Sequence, residues 1–148
     1  MTNLSLSYNS SIIPVSQIEK VQRRFTKRLR GLRDVAYTER LNRLGLPTLE
    51  LRRLQLDLIF CYKIVFGLTS LTPSDYFQFS SNSTRGHTYK RYIPQNSCNV
   101  RKILSCRILP VWNSLPANTD FSSLAAFRRT VYSIDLEKFL HCSNDRTV

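Results

Sequence analysis

Leu51, Leu54, Leu58, Cys61 and Val65 recur at spacings of three and four, which draws one apolar stripe down a helix. The stripe predicts a helix from Thr48, which follows Pro47 and suits an N-cap, to Gly67, where a left-handed C-cap is wanted. Arg52, Arg53, Gln55 and Asp57 leave the stripe and are expected in water. From Leu58 to Phe66 only Lys63 is charged, so other segments should cover that half on several sides. A bilayer takes ~20 apolar residues. This stretch is shorter and is broken by Lys63, so no membrane partner is expected. The pattern marks the core helix of a small domain.

A second helical pattern runs from Val15 to Leu32. Ser16 and Glu19 have the spacing of a capping box. Ile18, Val21, Phe25, Leu29 and Leu32 fall on one arc, expected to pack. Lys20, Arg23, Arg24, Lys27 and Arg30 fall on the opposite arc as a ridge of like charge, with Gly31 near the fraying end. Thr38–Leu44 reads as a short helix ended by Gly45, and Leu46-Pro47 forces a turn before the core helix.

Beyond Gly67 the breakers Pro73, Gly86 and Pro94 interrupt any period up to Val100. One helical turn is expected at Pro73–Phe77, with Tyr76 and Phe77 inward. Thr84-Arg85-Gly86-His87 reads as a turn and Thr88–Ile93 as an extended piece. Asn99 suits the cap of a helix running to about Asn113. Leu104, Ile108, Val111 or Trp112, and Leu115 keep its period, and Pro110 should kink it. Ser122 or Ser123 caps a last helix with Leu124, Phe127 and Val131 inward and Arg128, Arg129 and Lys138 outward; Asp135 suits a restart. The predicted fold is all-α: a small bundle of about five helices, with a long irregular loop between the core helix and the C-terminal helices. Residues 1–14, rich in Ser and Asn, are expected to be a disordered leader. Residues 15–142 form the helical domain and 143–148 a tail.

Charge sharpens this picture. The 148 residues carry 22 Lys and Arg against 10 Asp and Glu, a net charge of +12. Between Val15 and Arg53 eleven basic residues face four acids, so over half of the excess lies in about a quarter of the chain. Clustered cations are the footprint of a polyanion, here RNA or DNA held without regard to sequence. The candidate nucleic-acid-binding residues are Lys20, Arg23, Arg24, Lys27 and Arg30 on the ridge and Arg85 in the turn. A solvated helix face is the plain alternative for the ridge, and a glycine turn with His87 capping a neighbour is the alternative for Arg85. Tyr89 and Tyr92 flank Lys90 and Arg91, a short interleaving of the kind that suits single strands.

Other chemistry finds little purchase. Cys98, Cys106, His87 and His141-Cys142 match no zinc-site spacing, so no metal and no cofactor are expected. Trp112 falls on an apolar period and reads as core. No nucleophilic triad or glycine-rich phosphate loop can be assembled, and no catalytic residue is expected. Four irregularly spaced cysteines and no N-terminal signal peptide suggest an intracellular compartment, nuclear or cytoplasmic.

Ile18-Glu19-Lys20-Val21-Gln22-Arg23-Arg24-Phe25-Thr26-Lys27 resembles a segment just beyond the polymerase core of non-LTR (LINE-type, jockey/CR1-like) retrotransposon reverse transcriptases. Glu39-Arg40-Leu41, Leu44-Gly45-Leu46-Pro47-Thr48-Leu49-Glu50, Arg52-Arg53, Asp57-Leu58 and Tyr62-Lys63-Ile64 follow in the same order. Thr84-Arg85-Gly86-His87, Trp112-Asn113-Ser114-Leu115-Pro116 and Phe127 come after them. The resemblance covers roughly Val15 to Leu140. It implies a helical, non-catalytic region that helps hold template RNA or target DNA, with the parent's polymerase core as a second partner. The family's Tyr-x-Asp-Asp turn, which presents two metal-binding carboxylates, is absent, as is its endonuclease. The chain is therefore expected to be a truncated, non-catalytic fragment of an RNA-directed DNA polymerase. The alternative is a structural docking module with no binding of its own. A helix-turn-helix over Thr38–Phe66 ranks below both, because only Arg52, Arg53 and Gln55 would face a groove.

Overall fold

The computed structural model describes residues 15–79, 86–92 and 107–140. Its α-helices are α1 (Val15–Lys27), α2 (Tyr37–Leu44), α3 (Leu49–Val65), α4 (helical over 107–113) and α5 (Leu124–Ser133). Short 3₁₀ turns lie at Pro73–Asp75 and Glu137–Phe139, and two-residue strands at β1 (Gln78–Phe79) and β2 (Arg91–Tyr92). The fold is all-α, with an irregular connection between the core helix α3 and the C-terminal helices. The leader 1–14, the tail 143–148, Arg85 and the cap expected at Asn99 lie outside the described residues. The chain gathers into two compact units, 1–50 and 51–148, and the division falls within the first turn of α3.

Polar groups hold the first unit together. The Tyr37 hydroxyl donates a very short hydrogen bond to Glu19 Oε1, and the Leu49 N–H donates to Glu19 Oε2 at 3.0 Å. Thr26 Oγ1 donates to the Gln22 carbonyl at 2.9 Å and accepts from Arg40 Nε at 3.2 Å. Arg40 Nη1 reaches the Val35 carbonyl at 2.6 Å and Nη2 the Arg23 carbonyl at 3.4 Å. Glu19, Thr26 and Arg40 are all buried. Gly45 ends α2 in the left-handed conformation, its N–H turned back to the Asn42 carbonyl at 3.2 Å, as the sequence predicts.

Two expectations for α1 are corrected. The helix stops at Lys27, five residues short of Leu32. The segment 28–35 then closes through three-residue turns, Arg28 N–H to Phe25 O at 3.0 Å and Leu32 N–H to Leu29 O at 3.1 Å. The inward face also differs. Glu19 and Thr26 are buried, whereas Val21 and Phe25 are 68% and 62% exposed. Residues 19 and 26 are seven apart, about two helical turns, so they share one face. A buried guanidinium and a helix N-terminus need acceptors, and that face supplies them where the apolar arc has none. Glu19 therefore serves α2 and the start of α3; Ser16 lies inside the first turn of α1 rather than before it.

The second unit has the apolar core. Leu58, Cys61 and Ile64 of α3, Ile108 and Trp112 of α4, and Phe127 and Val131 of α5 are fully buried. The stripe along α3 therefore faces inward as its spacing requires. Gln55 is buried rather than solvated, and Asp57 pairs with Arg107, whose Nη2 lies 2.8 Å away. Burial still holds the Asp57 carboxyl above its ordinary value against the pull of Arg107. Aromatic rings fill the rest: Tyr62 stacks on Phe66 at 4.3 Å and on Phe127 at 4.7 Å, and Phe121 on Phe127 at 5.3 Å. Gly67 takes the left-handed conformation expected at the end of α3, and the Leu68 N–H returns to the Lys63 carbonyl at 2.7 Å. Ser123 caps α5, its Oγ accepting from the Ala126 N–H at 3.1 Å. Asp135 does the same for the Glu137 N–H at 2.9 Å. Antiparallel pairing of Gln78 with Tyr92 and Phe79 with Arg91 ties off the long connection.

Candidate functional site

The ridge residues expected from the sequence divide into two groups. Lys20, Arg23, Arg24 and Lys27 are exposed on α1, and Arg30 is exposed in the turn after it. Arg23 is spent locally: its guanidinium lies 4.8 Å from the centre of the Tyr37 ring, a cation–π contact. Beyond Arg23 the chain forms a cleft of about 570 Å³ lined by Arg24, Lys27, Arg28, Leu29, Arg30, Gly31 and Arg33. The structure thus brings Arg24, Lys27 and Arg30 together, and leaves Lys20 and Arg23 outside the cleft. It adds Arg28 and Arg33, which helical periodicity does not select.

The cleft exists because the helix does not continue. Gly31 adopts φ +78°, a conformation that costs an L side chain roughly 1–2 kcal/mol. It bends the chain so that Arg30 and Arg33 join Arg24 and Lys27 on one concavity. Arg24 and Lys27 occupy the last turn of α1, where the negative end of the helix dipole favours cations by ~0.3–1 kcal/mol each at a surface. Among the described residues none of the five cations is paired with a carboxylate. Five like charges on one concavity repel, and an anion with several phosphates would relieve that repulsion. The legible signal for Arg28 and Arg33 was the run Lys-Arg-Leu-Arg-Gly-Leu-Arg itself, read as a bend rather than a helix.

Two stretches far apart in sequence meet in the second unit. His87 Nε2–H donates to the Trp112 carbonyl at 2.7 Å, and Nδ1 accepts from the Tyr89 N–H at 3.1 Å, which fixes the tautomer. Trp112 Nε1–H donates to the Tyr89 carbonyl at 2.8 Å. Asn113 accepts from the Arg91 N–H at 3.0 Å and donates to its carbonyl at 2.8 Å. Burial pushes the His87 imidazole below its ordinary value. His87 is thereby a structural clasp, its two nitrogens both engaged. Trp112, fully buried, is core as expected. Gly86, at φ +117°, supplies the turn before the clasp.

Among the described residues no site of another kind emerges. Among the described residues no three His, Cys, Asp or Glu side chains gather to hold a metal; Cys98, Cys106, His141 and Cys142 lie outside them. Cys61 is a free buried thiol that burial pushes up, so it stays protonated and packs as a small apolar group. No described helix is long and apolar enough to cross a membrane. No family model, curated protein or solved structure matches the chain.

Proposed function

We propose that the chain is the helical region following the polymerase of a non-LTR retrotransposon reverse transcriptase, and that it holds RNA or DNA by phosphates without reading sequence. The observation that carries this reading is the cleft in which Arg24, Lys27, Arg28, Arg30 and Arg33 converge. The clasp supports the resemblance, since His87 of one of its motifs bonds to Trp112 of another, whose Asn113 holds Arg91. The parent enzyme would be an RNA-directed DNA polymerase; this chain supplies binding and no carboxylate pair to hold two metals. Docking on the parent's polymerase core is a second role, favoured by Val21 and Leu46, apolar side chains left 68% and 45% exposed.

Salt dependence tests the binding claim. For single strands log K should fall with log salt by about 0.7 per phosphate contact. Arg24→Gln with Lys27→Gln should flatten that slope by about 1.4 and weaken every sequence alike. Arg128→Gln with Arg129→Gln, on exposed positions of α5, removes the same charge elsewhere. Equal weakening by both pairs would reduce the site to net charge. Primer, template, nucleotides and Mg²⁺ should give no extension, and template-dependent extension would overturn the non-catalytic reading.

A further inference from the structure

We propose that the outer face of α1 docks an acidic amphipathic helix of a partner protein. The proposal rests on the docking role above and names the chemistry of the partner. Val21 and Phe25 are both largely exposed, and Leu46 is exposed as well. Val21 and Phe25 are one turn apart, so they form a single row on the helix. Gln22 Nε2–H donates to the Pro47 carbonyl at 3.0 Å. That bond ties the Leu46-Pro47 turn to the flank of α1 that carries Phe25, three positions from Gln22. The apolar strip therefore draws on two segments of the first unit. A cationic row runs beside it. Lys20 and Arg24 stand one position before Val21 and Phe25, and both are exposed. Among the described residues neither is paired with a carboxylate, and Lys20 lies outside the basic cleft. Apolar side chains four residues apart match the ridges of another helix, which pack at the same spacing. The cations alongside them favour carboxylates on that helix and repel a basic one. A second copy of this chain is a poor occupant, because it brings the same cations and a net charge of +12 to the contact. A bilayer surface fits less well too. Interfacial helices bury a broad apolar face, whereas Glu19 and Thr26 commit the inner face of α1 to polar bonds within the domain.

The test uses the full chain and labelled helical peptides of ~18 residues. All carry leucines at spacings of three and four; they differ in whether glutamate, glutamine or lysine flanks that stripe. Fluorescence anisotropy at low salt should find the glutamate peptide bound roughly 5-fold tighter than the glutamine peptide or better, and the lysine peptide weakest. Added salt should erase that order, and Lys20→Gln should narrow it. Val21→Gln with Phe25→Gln keeps good helix formers and should weaken the glutamate peptide by ~10-fold or more. The same pair should leave a labelled oligouridylate bound within about twofold, because neither residue lines the cleft. Leu56→Gln with Phe60→Gln, an exposed apolar pair on α3, is the control and should not weaken the peptide. Equal weakening by both glutamine pairs would overturn the proposal. Equal affinity for the glutamate and glutamine peptides would overturn the acidic partner and leave the docking role standing. If no peptide binds while circular dichroism shows a folded chain, the docking role falls as well. Binding to phosphatidylserine vesicles, or dimerisation of the chain, that is abolished by Val21→Gln with Phe25→Gln would give the face to a membrane or to a second copy, and either overturns the proposal.

Discussion

Glu19 of α1 accepts the backbone N–H of Leu49, the first residue of α3, across thirty positions of sequence. The first N–H groups of a helix have no partner within it, and a carboxylate there also meets the positive end of the dipole. The same side chain accepts from Tyr37 of α2. Glu19→Ala should therefore destabilise the fold by ~1–3 kcal/mol, the cost of stranding partly buried donors. Glu19→Gln, which keeps one acceptor oxygen, should lose less. Urea denaturation reads both; a Glu19→Ala loss within ~0.5 kcal/mol, the range of surface changes, would deny it this role.

Leu58 is fully buried in α3 and Arg52 of the same helix is exposed. Leu58→Ala should cost ~2–5 kcal/mol, and Arg52→Ala no more than ~0.5 kcal/mol. Chemical denaturation that ranked them the other way would mean α3 presents a different face.

The His87 clasp predicts a pH dependence. Burial lowers the folded-state pKa of His87 below its ordinary 6.5, the Trp112 carbonyl partly opposing and Lys90 assisting. The unfolded chain then binds the proton more readily, so stability rises with pH through this window. The contribution is full above 6.5 and is lost as pH falls through the lower folded value. Trp112, the single tryptophan, is the reporter. Its fluorescence midpoint in urea should fall on acidification, and His87→Gln should remove most of that trend. A pH-independent midpoint between pH 7 and 5 would refute the clasp.

Gly31 tests whether cleft shape matters apart from charge. A Cβ there meets nothing within 4 Å, so Gly31→Ala would carry only the backbone strain of φ +78°, roughly 1–2 kcal/mol. Relieving that strain by reshaping the turn should weaken oligouridylate binding by up to ~10-fold at unchanged net charge. Gly31→Asn, which tolerates the conformation better, should weaken it less. Equal affinity for all three chains would show that the turn does not shape the site.

The apolar period over Leu51–Val65 dictated α3 and its buried face. Left-handed Gly45 and Gly67 dictated where α2 and α3 end, and Ser123 where α5 begins. These features are local: each depends on side chains within a turn or two, so spacing alone reveals them. The concentration of cations before Arg53 was equally plain from composition. What the chain order did not disclose is which face of α1 is buried. An apolar arc and a polar arc competed, and the polar arc prevailed because Arg40 and the Leu49 N–H, 14 and 30 positions away from their partners, needed acceptors. That choice left Phe25 in solvent, while α1 ends at Lys27. It also gathered Arg28 and Arg33 with the ridge residues around the bend at Gly31. Periodicity counts neighbours along one helix; the satisfaction of buried donors is settled only when distant segments meet.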